Sequence, residues 1–359
     1  MTKSNCWLMN TPERIRVAII GCGMIGTEWD RTTPDDAPPL THARAFSEHA
    51  NAQLVALCDS DGVRARSAAQ YWQVAHAYTN PRQLFTEQNI DVAVVAASSE
   101  SRWAIIEPAL AAGVKVLVIE KPLATTLEES RRLVAEIDAA GARSVVNYSR
   151  NWDLSIREIK DKIAAGAMGK VQRVVATYGK GICNNASHLI DLTGFLCGSR
   201  PVRARSLGSP LDVGEADWST KDERAWDAQV EFIDSAGTSI NLTLLGTDQR
   251  AFTCFELRVI GQKSIFDLSM GGRCLNWTEM QYDPNFKGYV IPAPPVALAP
   301  RYLEAMQKMA DEAVRLAAGD INTVSCDAHT ALRTALAVEA IKLSANGDGR
   351  WVTLDTLNI

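Results

Sequence analysis

Val17-Ala18-Ile19-Ile20-Gly21-Cys22-Gly23-Met24-Ile25-Gly26, near the N-terminus, is the stretch whose reading decides the fold. Its first four residues are an unbroken apolar run rich in β-branched side chains, the pattern of a short strand buried on both faces. Gly21, Gly23 and Gly26 follow at once in G-x-G-x-x-G spacing. Out of context three glycines only punctuate a loop; directly after a buried strand they predict a dinucleotide site. Gly21 then permits the tight turn and Gly23 the close approach of backbone to a pyrophosphate. Gly26 lets the next helix lie against the strand with its first N–H groups toward the phosphates, and Met24 and Ile25 complete the loop beside the cofactor.

Working outward, residues 54–58 repeat the buried-strand pattern and end on Asp59. An acid at that point accepts hydrogen bonds from the adenosine ribose hydroxyls and repels a 2′-phosphate, which favours NAD. Arg64 and Arg66 follow closely and leave NADP possible. The gap from Gly26 to Asp59 exceeds the usual ~20 residues. The excess is residues 30–40, where Pro34, Pro38 and Pro39 with Asp30, Asp35 and Asp36 forbid a continuous helix. This insert reads as solvent-exposed variation rather than as a flap over a ligand.

Further strand-like runs at 92–97, 114–119 and 144–148 alternate with helical segments at 82–87, 105–112 and one opened by the capping box Thr126/Glu129. Strands alternating with helices at this pitch imply right-handed crossovers and a doubly wound parallel sheet, so the fold class is α/β. The strand ending at Ile119 delivers Glu120-Lys121-Pro122 to the carboxyl end of that sheet, the edge where ligands bind. A domain boundary is expected between 149 and 150. Beyond a helix capped by Ser155 with Glu158, strands at 171–178, 228–233, 239–245, 255–260, 264–268 and 274–280 follow one another, and Gln229-Val230-Glu231-Phe232 alternates as in an antiparallel sheet. A Pro-rich linker at 291–300 leads to helices at 301–318 and 330–345, which are candidates for packing back on the first domain.

The bulk numbers agree with two domains. At 359 residues the chain exceeds the size at which single cores stop growing. With 47% hydrophobic and 22% charged residues and a net charge of -5, it has a globular composition and no basic stripe for nucleic acid or polybasic membrane anchor. A small-molecule partner is expected. Eight scattered cysteines, Cys6 to Cys326, form no C-x-x-C pair and read as buried thiols in a reducing compartment. No signal-peptide core or spanning run is visible, so a cytoplasmic location is expected.

Lys121 projects a cation from a strand end where a nicotinamide and its substrate would meet, and a positioned ammonium lowers the pKa of a hydroxyl that must lose its proton. His188 opens the helix-like run His188-Leu189-Ile190-Asp191-Leu192. Helical counting puts Asn184, His188 and Asp191 on one face, with Asn184 or Asp191 able to fix the imidazole tautomer. The other histidines, His42 included, read as structural. No His, Cys or carboxylate set has ligand spacing for zinc, and no G-x-S-x-G elbow supports a hydrolase. Among nine tryptophans, Trp103, Trp152 and Trp218 are candidates for lining a pocket, with core filling the better expectation.

Gly21-Cys22-Gly23-Met24-Ile25-Gly26, Ala112-Gly113-Val114-Lys115-Val116, Glu120-Lys121-Pro122-Leu123 and His188-Leu189-Ile190-Asp191 together resemble the glucose-fructose oxidoreductase, inositol dehydrogenase and rhizopine-catabolism (Gfo/Idh/MocA) family. The resemblance implies a Rossmann-like first domain and a C-terminal α/β domain whose large, mostly antiparallel open sheet mediates homo-dimers or homo-tetramers. It implies hydride transfer between NAD(P) and a hydroxyl or keto carbon of a sugar, cyclitol or sugar derivative, with Lys121 as the active-site lysine and His188 as the acid/base histidine. Glu120 and the loop starting at Ser98 then lie beside the cofactor. Two positions depart from the family pattern: Asn184 replaces an aspartate, and Ser98-Ser99-Glu100-Ser101-Arg102-Trp103 replaces Thr-Pro-Asn-x-x-His. Asn184-Asn185-Ala186-Ser187-His188 looks like branches acting on surface polysaccharides and sugar nucleotides. A cofactor-binding regulator of the same fold, and an NADP-dependent reductase of a non-sugar carbonyl, are the rival readings.

Overall fold

A computed structural model describes residues 14–211, 224–248 and 252–357; Cys6 and Trp218 lie outside the described residues. Among the described residues six strands form the first sheet: β1 (Ile15–Ile20), β2 (Ala52–Cys58), β3 (His76–Tyr78), β4 (Val92–Val95), β5 (Val116–Ile119) and β6 (Arg143–Val146). All pair in parallel, in the order β3-β2-β1-β4-β5-β6. The order reverses between β1 and β4, which opens a crevice at their carboxyl ends. The apolar runs in β1, β4 and β5 are buried because helices cover both faces: α1 (His42–Ser47), α2 (Gly62–Tyr71), α3 (Pro81–Glu87), α4 (Arg102–Ala111) and α5 (Leu127–Ala139). Several of these helices start on a side chain that takes free N–H groups: Thr41, Asp61, Asn80 and, in a full capping box with Glu129, Thr126.

The second sheet holds β7 (Val171–Tyr178), β8 (Ser199–Ser206), β9 (Ala228–Asp234), β10 (Ser239–Gly246), β11 (Phe255–Gly261), β12 (Ser264–Ser269), β13 (Cys274–Tyr282), β14 (Val290–Pro292), β15 (Val296–Leu298) and β16 (Val352–Thr353). Its order is β14-β13-β12-β11-β7-β10-β9-β8-β16, with β15 also on β13, and among these pairs only β7 with β10 runs parallel. Residues 291–300 are therefore more than a linker. Two short strands form there because the prolines sit at a sheet edge, where a missing N–H costs nothing. Sequence reading also passed over β3, three residues long, and β8, whose Ser-Arg-Pro-Val-Arg-Ala-Arg-Ser hides its alternation behind long basic side chains.

α6 (Leu154–Ala164) is capped by Asp153 rather than Ser155, since the Asp153 carboxylate takes the Ser155 N–H while the Ser155 hydroxyl donates to Ala299. α7 (Ser187–Cys197) packs against α6 and under the second sheet. α8 (Ala305–Ala318) turns back to the first domain, where Met309, Ala310 and Ala313 are fully buried in its core. α9 (Ala328–Asn346) divides its contacts: Ala328 and Ala331 belong to the first core, and Leu336, Ala337 and Ile341 to the second. Trp152 is core, as expected, and Trp103 carries the Arg132 guanidinium over its ring. The seven described cysteines are free thiols, and among the described residues no helix is long and apolar enough to cross a membrane.

Candidate active site

The glycine loop explains itself sterically. Gly21 has φ +106°, and a Cβ there would lie 2.5 Å from the backbone at Ala96 and Ala97 just past β4, so the turn after β1 admits no other residue. A Cβ on Gly26 would collide with the Gly21 carbonyl oxygen. At Gly23 nothing stands within 4 Å of that position, leaving open space where a pyrophosphate has to come close to the backbone. A cavity of about 640 Å³ opens there, between the ends of β1, β2 and β4, and Gly21, Gly23, Asp59, Arg64 and Ser98 line it. The size and position fit a dinucleotide.

Asp59 is no helix cap. Its carboxylate is buried and accepts the Cys22 N–H at 2.8 Å and the Asp61 N–H at 2.9 Å, tying the end of β2 to the glycine loop. Arg64 reaches both of its oxygens at 3.4 Å. The expected helix after Gly26 is only a π-type turn at Met24–Glu28 and a 3₁₀ turn at Trp29–Arg31. Gly26 is buried and Met24 is largely exposed, and the residues lining the dinucleotide-sized cavity include neither.

A second cavity, of about 310 Å³, continues from the loop at Ile25 and contains Glu120, Lys121, Asn147 and His188. β5 and β6 deliver the first three at their carboxyl ends, and α7 delivers His188. The Lys121–Pro122 bond is cis. Burial opposes the charge on Glu120, but hydrogen bonds from His42 and Asn147, both at 2.7 Å, and the nearby Lys121 charge outweigh it and hold the carboxyl below its ordinary range. His42, fully buried on α1, is thus a partner of the Glu120-Lys121-Pro122 turn. Arg102 lies beneath the same turn, donating toward the Lys121 carbonyl at 3.5 Å, and burial pushes its pKa down to about 10.

Asn184 lies outside the helix that the count assumes, whereas Asp191 shares α7 with His188 but bonds to other partners. Residues Gly181–Ala186 form a π-type turn, and α7 starts only at Ser187. Asn184 sits in that wider turn, and its Oδ1 accepts from the Lys121 ammonium at 2.6 Å. Asp191 accepts from the Asn151 amide at 2.9 Å and from the Cys326 thiol, and burial pushes its pKa up to about 7. Among the described residues no hydrogen bond joins either residue to His188. The His188 ring stands edge-on to Tyr148 and Phe255, at 5.2 and 6.4 Å between centroids. Desolvation first, then the charges of Lys121 and Arg150, hold its pKa well below 6.5. A neutral imidazole and an ammonium therefore share one pocket, a pair suited to moving a proton off a hydroxyl.

The insert at 30–40 is exposed at Thr32 and at residues 34–36 but is anchored to the molecule at both ends. Asp30 is buried, and its carboxylate accepts from the Leu40 and Thr41 N–H groups and from the Thr33 and Thr41 hydroxyls, with Arg44 3.6 Å away. That network folds the loop onto the molecule and sets Pro39 and Leu40 in the wall of the His188 cavity. The prolines break the helix as read; the acid's long-range partners gave no local sign.

Taken together, the strand order, the glycine loop and the crevice define a dinucleotide-binding Rossmann fold with a second cavity, holding Lys121 and His188, beside the loop. Residues 15–148 match the Gfo/Idh/MocA family model, described as an oxidoreductase family with an NAD-binding Rossmann fold. The chain is 28% identical over 159 residues to D-apiose dehydrogenase of Paraburkholderia graminis, covering 44% of this chain and 39% of that one. It is 29% identical over 203 residues to inositol 2-dehydrogenase 2 of Saccharopolyspora erythraea, covering 53% and 56%. The chain thus spans about half the length of the curated relatives it matches. In fold it is similar to the inositol dehydrogenase homologue of Azotobacter vinelandii solved with NAD+, with a TM-score of 0.72, 20% identity and coverage of 95% and 98%.

Proposed function

We propose that the chain is an NAD-dependent oxidoreductase that transfers a hydride between nicotinamide and a hydroxyl or keto carbon of a carbohydrate-like molecule, a sugar or cyclitol. The observation that carries this reading is the pairing of Lys121 with a neutral His188 in a cavity that continues from the glycine loop. The relatives point the same way, being named dehydrogenases of apiose and inositol. NAD, when bound, supplies the hydride acceptor. Gly23 and the backbone of its loop would hold the pyrophosphate, and Asp59 the adenosine ribose, which favours NAD over its 2′-phosphate. The Lys121 ammonium, steadied by Asn184, polarises the reacting oxygen. The His188 imidazole takes its proton, and burial together with two nearby cations keeps that imidazole free to do so.

Lys121→Ala is expected to lower kcat by at least ~10²-fold, the lower end for a positioned acid-base group. Steady-state NADH formation with any accepted substrate measures it, and unchanged turnover removes Lys121 from the mechanism. The second sheet favours a homo-oligomer. Helices α7 and α9 pack on one of its faces, while the other, with Val175, Ile260 and Ile265, is an open groove. Light scattering of the purified chain should then give a multiple of 39.1 kDa; a monomer at micromolar concentration would contradict it.

A further inference from the structure

A third cavity, of about 550 Å³, lies against α7, the start of β8, the end of β9 and the first turns of α9, and it shares no lining residue with the two cavities described above. We infer that it is a second binding site, built for a zwitterion: a free α-amino acid with an apolar side chain.

The buried part of this cavity lacks donors. Asn151 is fully buried; its amide N–H is spent on Asp191 at 2.9 Å, and its Oδ1 has no partner. The Ser199 hydroxyl, where β8 begins, is likewise buried and unpaired. Asp191, Asn151 and Ser199 all line the cavity. Burial pushes the Asp191 carboxyl up to about 7, a cost that a cation arriving beside it would relieve. An α-ammonium brings three N–H donors and one positive charge, the complement of two unfilled oxygens and a buried carboxyl.

Elsewhere the lining lacks an anion. Arg200 and Arg333 border the cavity, and among the described residues neither has an acid at ion-pair distance. Lys160 lies over the Phe195 ring at 3.9 Å. The other charged groups are committed. Asp234 accepts the Ala236 and Thr238 N–H groups, Asp327 caps α9 by accepting the Thr330 N–H, and His329 is bonded to Asp138. Asp191, Asp234 and Asp327 balance Lys160, Arg200 and Arg333, so a plain anion or a plain cation leaves one part of the site unmatched. Ile190, Phe195 and Pro201 add the apolar wall against which an aliphatic side chain leaves water.

Titration calorimetry of the full chain compares L-leucine with isocaproate, which lacks the ammonium, and isoamylamine, which lacks the carboxylate. Leucine should bind, and each truncated probe should bind at least ~10-fold more weakly, the loss of one charge-assisted hydrogen bond. Arg333→Met should weaken leucine by a similar factor, and Arg333→Lys, which keeps the charge, should restore part of it. Ser199→Ala should weaken leucine without touching NADH affinity, read by fluorescence, and saturating NADH should not displace leucine. Absence of leucine binding at millimolar concentration, isocaproate or isoamylamine binding as tightly as leucine, insensitivity to Arg333→Met and Ser199→Ala, or displacement by NADH overturns the inference.

Discussion

His188 is held neutral first by burial and then by two nearby cations. Lys121 and Arg150 each disfavour a third positive charge nearby, on top of the loss of water around the ring. The acid limb of kcat/KM should then lie below pH 6.5, since the base stays unprotonated until the folded-state pKa is reached. Lys121→Met removes one of the two charges and should move the His188 titration upward, as followed by NMR of the imidazole protons; an unmoved or lowered pKa would refute the coupling. The stability sign is fixed by the same shift. Between the lowered folded pKa and 6.5 the unfolded chain binds more protons, so the contribution is complete above 6.5 and is lost as pH falls through that window. Lys121 and His188 were legible as candidates from their places in sequence. Their partners were not: Asn184 serves the lysine, and His42 on α1 serves Glu120, 78 residues away. Local spacing does not encode a hydrogen bond between distant elements, and a π-type turn breaks the 3.6-residue count used to guess it.

At the scale of elements, strands buried on both faces announced themselves by continuous Val, Ile and Ala, and Thr126 with Glu129 formed the capping box read from the sequence. What escaped were elements whose stability comes from neighbours. β3 owes its place to β2, β8 to β9 and β16, and the insert to Asp30. Asp30→Ala should remove the acceptor for the Leu40 and Thr41 N–H groups and leave Arg44 beside an emptied site, costing about 3 kcal/mol of folding stability. It should also raise KM more than it lowers kcat, because Leu40 leaves the wall while Lys121 and His188 stay. Urea denaturation and steady-state kinetics measure the two effects; an unchanged KM with the stability lost would separate the loop from the site.

For the whole molecule, the two sheets follow each other in sequence but their cores do not. α8 belongs to the first core although it comes after the main run of second-sheet strands, and α9 joins both. A fragment ending at residue 149 would lack Met309, Ala310 and Ala313 and expose the apolar surface they cover. It is expected to aggregate or melt well below the full chain, whereas supplying residues 301–346 as a separate polypeptide should recover part of the loss. Thermal scans of the two preparations distinguish these outcomes, and a fragment as stable as the full chain would refute the dependence.

The late arrival of α8 also sets a timetable. During synthesis β6 emerges at residue 146, but the helix that completes its core begins only at residue 305. At about 5–20 residues per second this gap lasts on the order of ten to thirty seconds. Throughout that interval the nascent dinucleotide domain presents an open hydrophobic seat, so the chain's yield should depend on what shields that seat on the ribosome.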